Sequence, residues 1–247
     1  MGKKLKTILK KNSGRSNIGQ VTVRHQGGRQ KRFLRRVDFK RDKQDMEAQV
    51  VAVEYDPNRN TQIALLSYPN GEKTYILRPE GLNVGDSVIS SENGEIKVGN
   101  SLPLAKIPIG TAIHNIEVQP FQGGKLVRGA GGAATIIAKE DKYAHVKMPS
   151  GEVRKILLRS RATIGQLGNI VWKEHKFGKA GKRRLIGIRP TVRGIAQNPR
   201  SHPHGGGEGR SGIGMPAPKT YAGRAAVGKT RKKGKYSDKY IISRRKR

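Results

Sequence analysis

The 247-residue sequence predicts a mainly β chain in which two small barrels lie between extended basic arms. Three observations lead there. Charge is segregated: the net charge is +33, and residues 1–43 hold 15 basic against 2 acidic side chains, residues 44–175 hold 15 against 14, and residues 176–247 hold 21 against 2. Turn signals recur about every eight to twelve residues through the neutral middle, with no helical period between them, which is the pattern of small closed or partly closed β barrels. The flanking segments are rich in Gly, Pro and Arg and poor in apolar residues, so they cannot build cores of their own.

Taken in order, residues 1–43 read as a basic arm leading into the first barrel. Asn12–Arg15 and Arg24–Arg29 are loops with glycine-permissive turns, and Ile18, Val21 and Val23 hint at a short strand. Phe33 and Phe39 either stack on bases or anchor the arm to the body. Residues 44–110 form the first barrel. Val51, Val53 and Tyr55 alternate with Val50, Ala52 and Glu54, and Val51 is expected to face the core. Pro69-Asn70-Gly71 is a hairpin signal between Ile63–Ser67 and Tyr75–Leu77. Residues 111–177 form the second barrel and a transition, with a hairpin about Glu140–Lys142, a turn at Pro149–Gly151 and a helical turn in 164–172. Residues 178–247 are expected as an extended Gly/Arg-rich arm.

The chain is organised around 189–210, RPTVRGIAQNPRSHPHGGGEGR. This stretch is expected to be ordered only by a polyanion: glycine permits close backbone approach, proline limits the entropy lost, and arginine presents bidentate donors to phosphate. A membrane-binding arm would pair its charge with a large apolar moment, which is lacking, so nucleic acid is favoured. There is no cysteine, hence no disulfide or zinc-thiolate site. No apolar run reaches the length of a membrane span, and no apolar stretch follows the basic N-terminus to make a signal peptide.

Three motifs invite an enzymatic or metal reading. Gly223–Thr230 fits the phosphate-loop pattern GxxxxGKT, but Met215–Thr220 before it is no central strand and Arg231–Lys235 after it is a poor helix. Gly207–Gly212 and Gly129–Ala134 fit GxGxxG and its looser form without a βαβ frame. His202, His204 and Glu208 suggest a metal or acid–base cluster, yet a glycine-rich arm supplies neither rigid elements nor a tuning neighbour. No cofactor or metal is expected.

Asn12–Arg15, Val37–Arg41, Glu54–Arg59, Arg189–Gly194, Asn198-Pro199 and His202–Arg210 together resemble the universal ribosomal protein two family of the large subunit, in its bacterial form. Thr230-Arg231, Asp238–Ile242 and the basic terminus fit as well, so the resemblance spans nearly the whole chain. It implies an OB-like barrel followed by an SH3-like barrel, then an extension threaded into large-subunit (23S-type) ribosomal RNA. It also implies roles in subunit assembly, association with the small subunit, tRNA binding and organisation of the peptidyl transferase centre, with neighbouring ribosomal proteins as partners and tRNA contacted indirectly. A histidine of the HPHGGGEGR motif has been proposed in this family to act in peptide-bond formation; the composition here argues for RNA packing instead. Relatives usually begin with a longer leader, carry a glycine triplet followed by His-Lys near Gly27–Lys31, and have Pro-Trp-Gly where Ala217–Tyr221 stands. Either Tyr221 replaces that tryptophan or the contact is lost.

The expected function is therefore a non-enzymatic constituent of the ribosome, in the cytoplasm, with an organellar ribosome left open. A phosphate-loop nucleotide-binding enzyme and a general nucleic-acid-compacting protein are the alternatives. Candidate RNA contacts in the N-terminal arm are Arg15, Arg24, His25, Arg29, Lys31, Arg32, Arg35, Arg36, Lys40 and Arg41. In the C-terminal arm they are Arg183, Arg184, Arg189, Arg193, Arg200, His202, His204, Gly205, Gly206, Gly207, Arg210, Lys229, Arg231, Lys232, Arg244 and Arg245.

Overall fold

A computed structural model describes residues 5–228, 232 and 234–245. The chain is mainly β and divides into two compact units, one of residues 1–10, 31–176 and 237–247, the other of residues 11–30 and 177–236. The first unit contains both barrels, each with its own apolar core, as expected of an OB-like module followed by an SH3-like one.

β1 (Lys6–Ile8) pairs antiparallel with β2 (Phe33–Arg35). The first barrel comprises β3 (Ala48–Glu54), β4 (Ile63–Ser67), β5 (Lys73–Leu77) and β6 (Ser87–Val88), in the order β5-β4-β3-β6. The β4–β5 hairpin turns at Pro69–Gly71, with Gly71 at φ 76°. The core gathers Val50, Leu66, Ile76, Leu82 and Val88. Val50 is 1% exposed, whereas Val51 is 43% exposed, so the expected inward Val51 is corrected to outward. The register explains why: Val50 faces Leu66 and Ala52 faces Leu65, which leaves Val51 as an extra residue in a β-bulge.

The second sheet follows with β7 (Ser101–Pro103), β8 (Ala112–His114), β9 (Ile116–Glu117), β10 (Gly124–Leu126), β11 (Ala134–Glu140), β12 (Tyr143–Lys147), β13 (Val153–Leu157) and β14 (Arg161–Ile164). β15 (Ile241–Ser243) closes its edge, giving the order β15-β13-β12-β11-β8-β14-β7, while β9 and β10 pair separately. β7 joins this sheet from inside the span 44–110, and β15 joins it from inside the span 178–247. The hairpin about Glu140–Lys142 links β11 and β12, and β11 repeats the device of β3: Ile136 is buried, Ile137 is exposed, and a register shift lies between Ile136 and Ala138. The helical turn in the transition is a short 3-10 segment, Ile170–Glu174, and a six-residue helix, α1 (Ala180–Leu185), begins the basic region beyond it. No helix among the described residues is long and apolar enough to cross a membrane.

Polar side chains join the barrels. Asp38 Oδ1 accepts the amides of Lys40 (3.0 Å) and Arg41 (2.8 Å), turning the chain so that Arg41 enters the interior at φ 57°. Arg41 is 3% exposed and donates to the Gly99 carbonyl at 3.3 Å. Ser90 Oγ donates to the Arg41 carbonyl (3.0 Å) and accepts from Arg161 Nη1 (2.9 Å). Burial pushes the Arg41 guanidinium below its ordinary pKa, and the neighbouring Arg161 charge pushes the same way. Burial likewise holds His114 down at about 4, so its ring is neutral near pH 7 and Nδ1 donates to the Gly165 carbonyl at 2.8 Å. The expectation that Arg41 reaches RNA is thereby corrected: its charge is held inside the protein.

Candidate nucleic-acid interface

The candidate residues fall into the two units. Lys31, Arg32, Arg35, Arg36, Lys40, Arg41, Arg244 and Arg245 belong to the first. Arg32 donates to the Pro57 carbonyl at 2.9 Å and Arg35 to the Phe33 carbonyl at 3.0 Å, both half-buried, whereas Lys31, Arg36 and Lys40 face solvent. Arg244 lies 3.7 Å from Asp238. The guanidiniums of Arg128 and Arg59 sit 4.5 and 5.4 Å from the Phe39 ring centre, so Phe39 anchors cations of its own chain. Phe33 keeps nearly half its surface exposed.

The second unit joins the two stretches that sequence patterning assigns to separate arms. The Gly27 amide bonds the Gly187 carbonyl (2.8 Å), the Gln30 amide bonds Leu185 (2.8 Å), and the Arg189 amide bonds His25 (3.0 Å). These bonds place the Arg24–Arg29 loop against the end of α1, whose last turn carries Lys182, Arg183 and Arg184. Within 11–30, the Gly14 carbonyl accepts the amides of Thr22 and Val23, and Arg15 reaches back to the Gly19 carbonyl at 2.8 Å. Arg24 lies 4.8 Å from the centre of the Tyr221 ring, a cation–π contact the sequence does not announce. Arg15, Arg24, Arg183, Arg184, Arg189, Arg193, Arg200, Arg210 and Lys232 are exposed. Lys229 and Arg231 lie outside the described residues.

The HPHGGGEGR loop is built around His204, which is 7% exposed. The Lys219 amide donates to its Nε2 at 2.7 Å. Nε2 is then an acceptor, so Nδ1 carries the proton and donates to the Ile213 carbonyl at 2.8 Å. The His204 amide in turn donates to His202 Nδ1 at 3.0 Å, and the two rings lie 5.1 Å apart. Both ring nitrogens of His204 are engaged inside the protein, leaving none for a metal, a substrate or an RNA base.

The glycines of the loop have separate causes. A Cβ on Gly205 would stand 2.3 Å from the Asn198 carbonyl oxygen and 2.5 Å from that of Gln197, so this glycine permits close approach of the protein's own backbone. Gly206 and Gly207 both sit at φ 94°, where a side chain is strained. Overpacking at Gly205 costs about 1–3 kcal/mol. Gly205→Ala is therefore expected to loosen this loop, speeding amide exchange across it about 5- to 150-fold. The barrels should melt at an unchanged temperature, which calorimetry beside the exchange measurement checks.

The GxxxxGKT match has no βα frame among the described residues. Gly223 closes a turn with Thr220, and Lys219 bridges to Ala225, so the segment is a tight reversal.

A family model described as Ribosomal Proteins L2, RNA binding N-terminal domain, matches residues 2–90, and one described as Ribosomal Proteins L2, C-terminal domain, matches residues 97–223.

Proposed function

This chain belongs to the ribosomal protein L2 family, an RNA-binding protein of the large ribosomal subunit, and from that premise we propose that it acts there as a non-catalytic organiser of ribosomal RNA. In this reading the exposed arginines of the second unit grip the 23S-type RNA. Ordering that RNA supports assembly of the subunit, its association with the small subunit, contacts with neighbouring ribosomal proteins, indirect support of tRNA and organisation of the peptidyl transferase centre. The observation that carries the reading is the wiring of His204: the motif spends its imidazole on holding the loop and turns Arg200 and Arg210 outward. That division of labour suits a scaffold. A general acid–base needs a ring nitrogen within reach of its substrate.

Co-sedimentation tests it. The tagged wild-type chain is expected in the large-subunit fraction of a lysate. The Arg193→Ala/Arg200→Ala/Arg210→Ala variant is expected to shift substantially to the free pool while its barrels stay folded. A wild-type chain found only in the free pool would refute the reading.

A further inference from the structure

The second barrel carries a protruding aromatic that neither the basic arms nor the histidine loop explains. Phe121 is 68% exposed and sits at φ 63°, a conformation that a bulky side chain rarely adopts. Two more non-glycine residues of the same stretch, Asn115 (φ 49°) and Val127 (φ 52°), are also left-handed. Strain of this kind persists where the surroundings over-determine it, and it clusters at binding sites.

The surroundings here are explicit. Glu117, 2% exposed, turns both carboxylate oxygens inward. Oε1 accepts the Gly123 amide at 2.8 Å, and Oε2 accepts the amides of Phe121 at 3.2 Å and Arg161 at 3.0 Å. The loop is closed from below as well, since the Gly124 amide donates to the Phe39 carbonyl at 2.8 Å. A buried acid thus holds rigid the turn that displays the ring.

Three cations stand about the loop, and the nearby carboxylate of Asp38 is taken up by the amides of Lys40 and Arg41. The stem of Lys40 lies over Gly123, where a Cβ would stand 2.9 Å from Lys40 Cγ. Lys125 Nζ holds Gln122 Oε1 at 3.0 Å, and Arg128 is exposed beside Phe39. The acid of the turn, Glu117, is buried, so it presents no carboxylate to a ligand. A flat apolar face set among exposed cations matches an unpaired nucleotide, with the base on the ring and the phosphates on the ammonium groups.

We propose that Phe121 is a stacking platform for an unpaired base of large-subunit RNA, with Lys40, Lys125 and Arg128 holding the adjoining phosphates. The proposal rests on the RNA-binding reading above and places within it a contact in the second barrel.

The test titrates full-length large-subunit RNA with the full chain and with Phe121→Gly, Phe121→Leu and Phe121→Trp. Glycine relieves the left-handed strain, so Phe121→Gly should fold at least as well as the wild type; leucine keeps the bulk and the strain but removes the aromatic face. Both are expected to lose about 5- to 150-fold in affinity, the range of one stacked base, with the salt slope unchanged. Phe121→Trp should bind within about twofold of the wild type, its indole fluorescence quenched on RNA binding, and Lys125→Ala should flatten the slope by about 0.7. Glycine and leucine variants that bind RNA within about twofold of the wild type would overturn the platform, including the case in which they lose only a protein partner. If the wild type itself fails to bind the RNA, the broader RNA reading falls, a result distinct from a platform that fails alone.

Discussion

Val50→Asp is expected to abolish folding of the first barrel, while Val51→Asp, one residue away, leaves it folded. Val50 stands in a core with Leu66, Ile76, Leu82 and Val88. A carboxylate placed there has no cationic partner, and an unpaired buried charge costs more than the few kcal/mol that hold a small domain together. Val51 projects from the bulge, where an aspartate stays hydrated and shifts stability by about 0.5 kcal/mol or less. Circular dichroism and thermal melting of the two variants check the pair. A Val51→Asp chain that unfolds while Val50→Asp melts normally would reverse the register.

That contrast shows where sequence patterning succeeds and where it stops. The hairpins at Pro69–Gly71 and Glu140–Lys142 are legible because turn chemistry acts over a few residues. Which valine faces inward is not, because residues 50–53 are apolar at every position and a bulge moves the period by one. Ile136 and Ile137 pose the same ambiguity, and the same device resolves it. Charge is legible as a total and illegible as a destination. Arg41 looks like any other arginine of its arm until the turn about Asp38 carries it into the interior. Nothing local marks Glu117 as buried, yet three amides hold it in the core. The motif 202–210 is recognisable as a string, but its physics comes from Lys219 and Ile213, which lie farther along the chain. Pairing of residues 11–30 with 177–189 is a long-range choice of backbone bonds, and no local periodicity encodes it.

Binding to ribosomal RNA is expected to weaken by about five orders of magnitude between about 50 and 200 mM salt. Each phosphate neutralised on RNA outside regular duplex contributes about −0.7 to the slope of log affinity against log salt, so about a dozen contacts give about −8. The estimate rests on where the cations lie. The span 44–175 is nearly neutral, so most of the slope comes from the flanking segments, with Lys125 and Arg128 the barrel's own contribution. Exposure selects further among them: Arg41 is buried and adds nothing, while Arg193, Arg200 and Arg210 face solvent. Replacing those three by alanine should flatten the slope by about 2, whereas replacing Lys142 and Lys147 in the second barrel should leave it unchanged. Filter binding across a salt series measures all three proteins. A wild-type slope near zero would mean that affinity comes from contacts without net charge neutralisation, and the segregation of +33 charges would then need another cause. A slope that responds to Lys142 and Lys147 but ignores the three arginines would move the phosphate-binding surface to the barrel and strip the 189–210 stretch of its role.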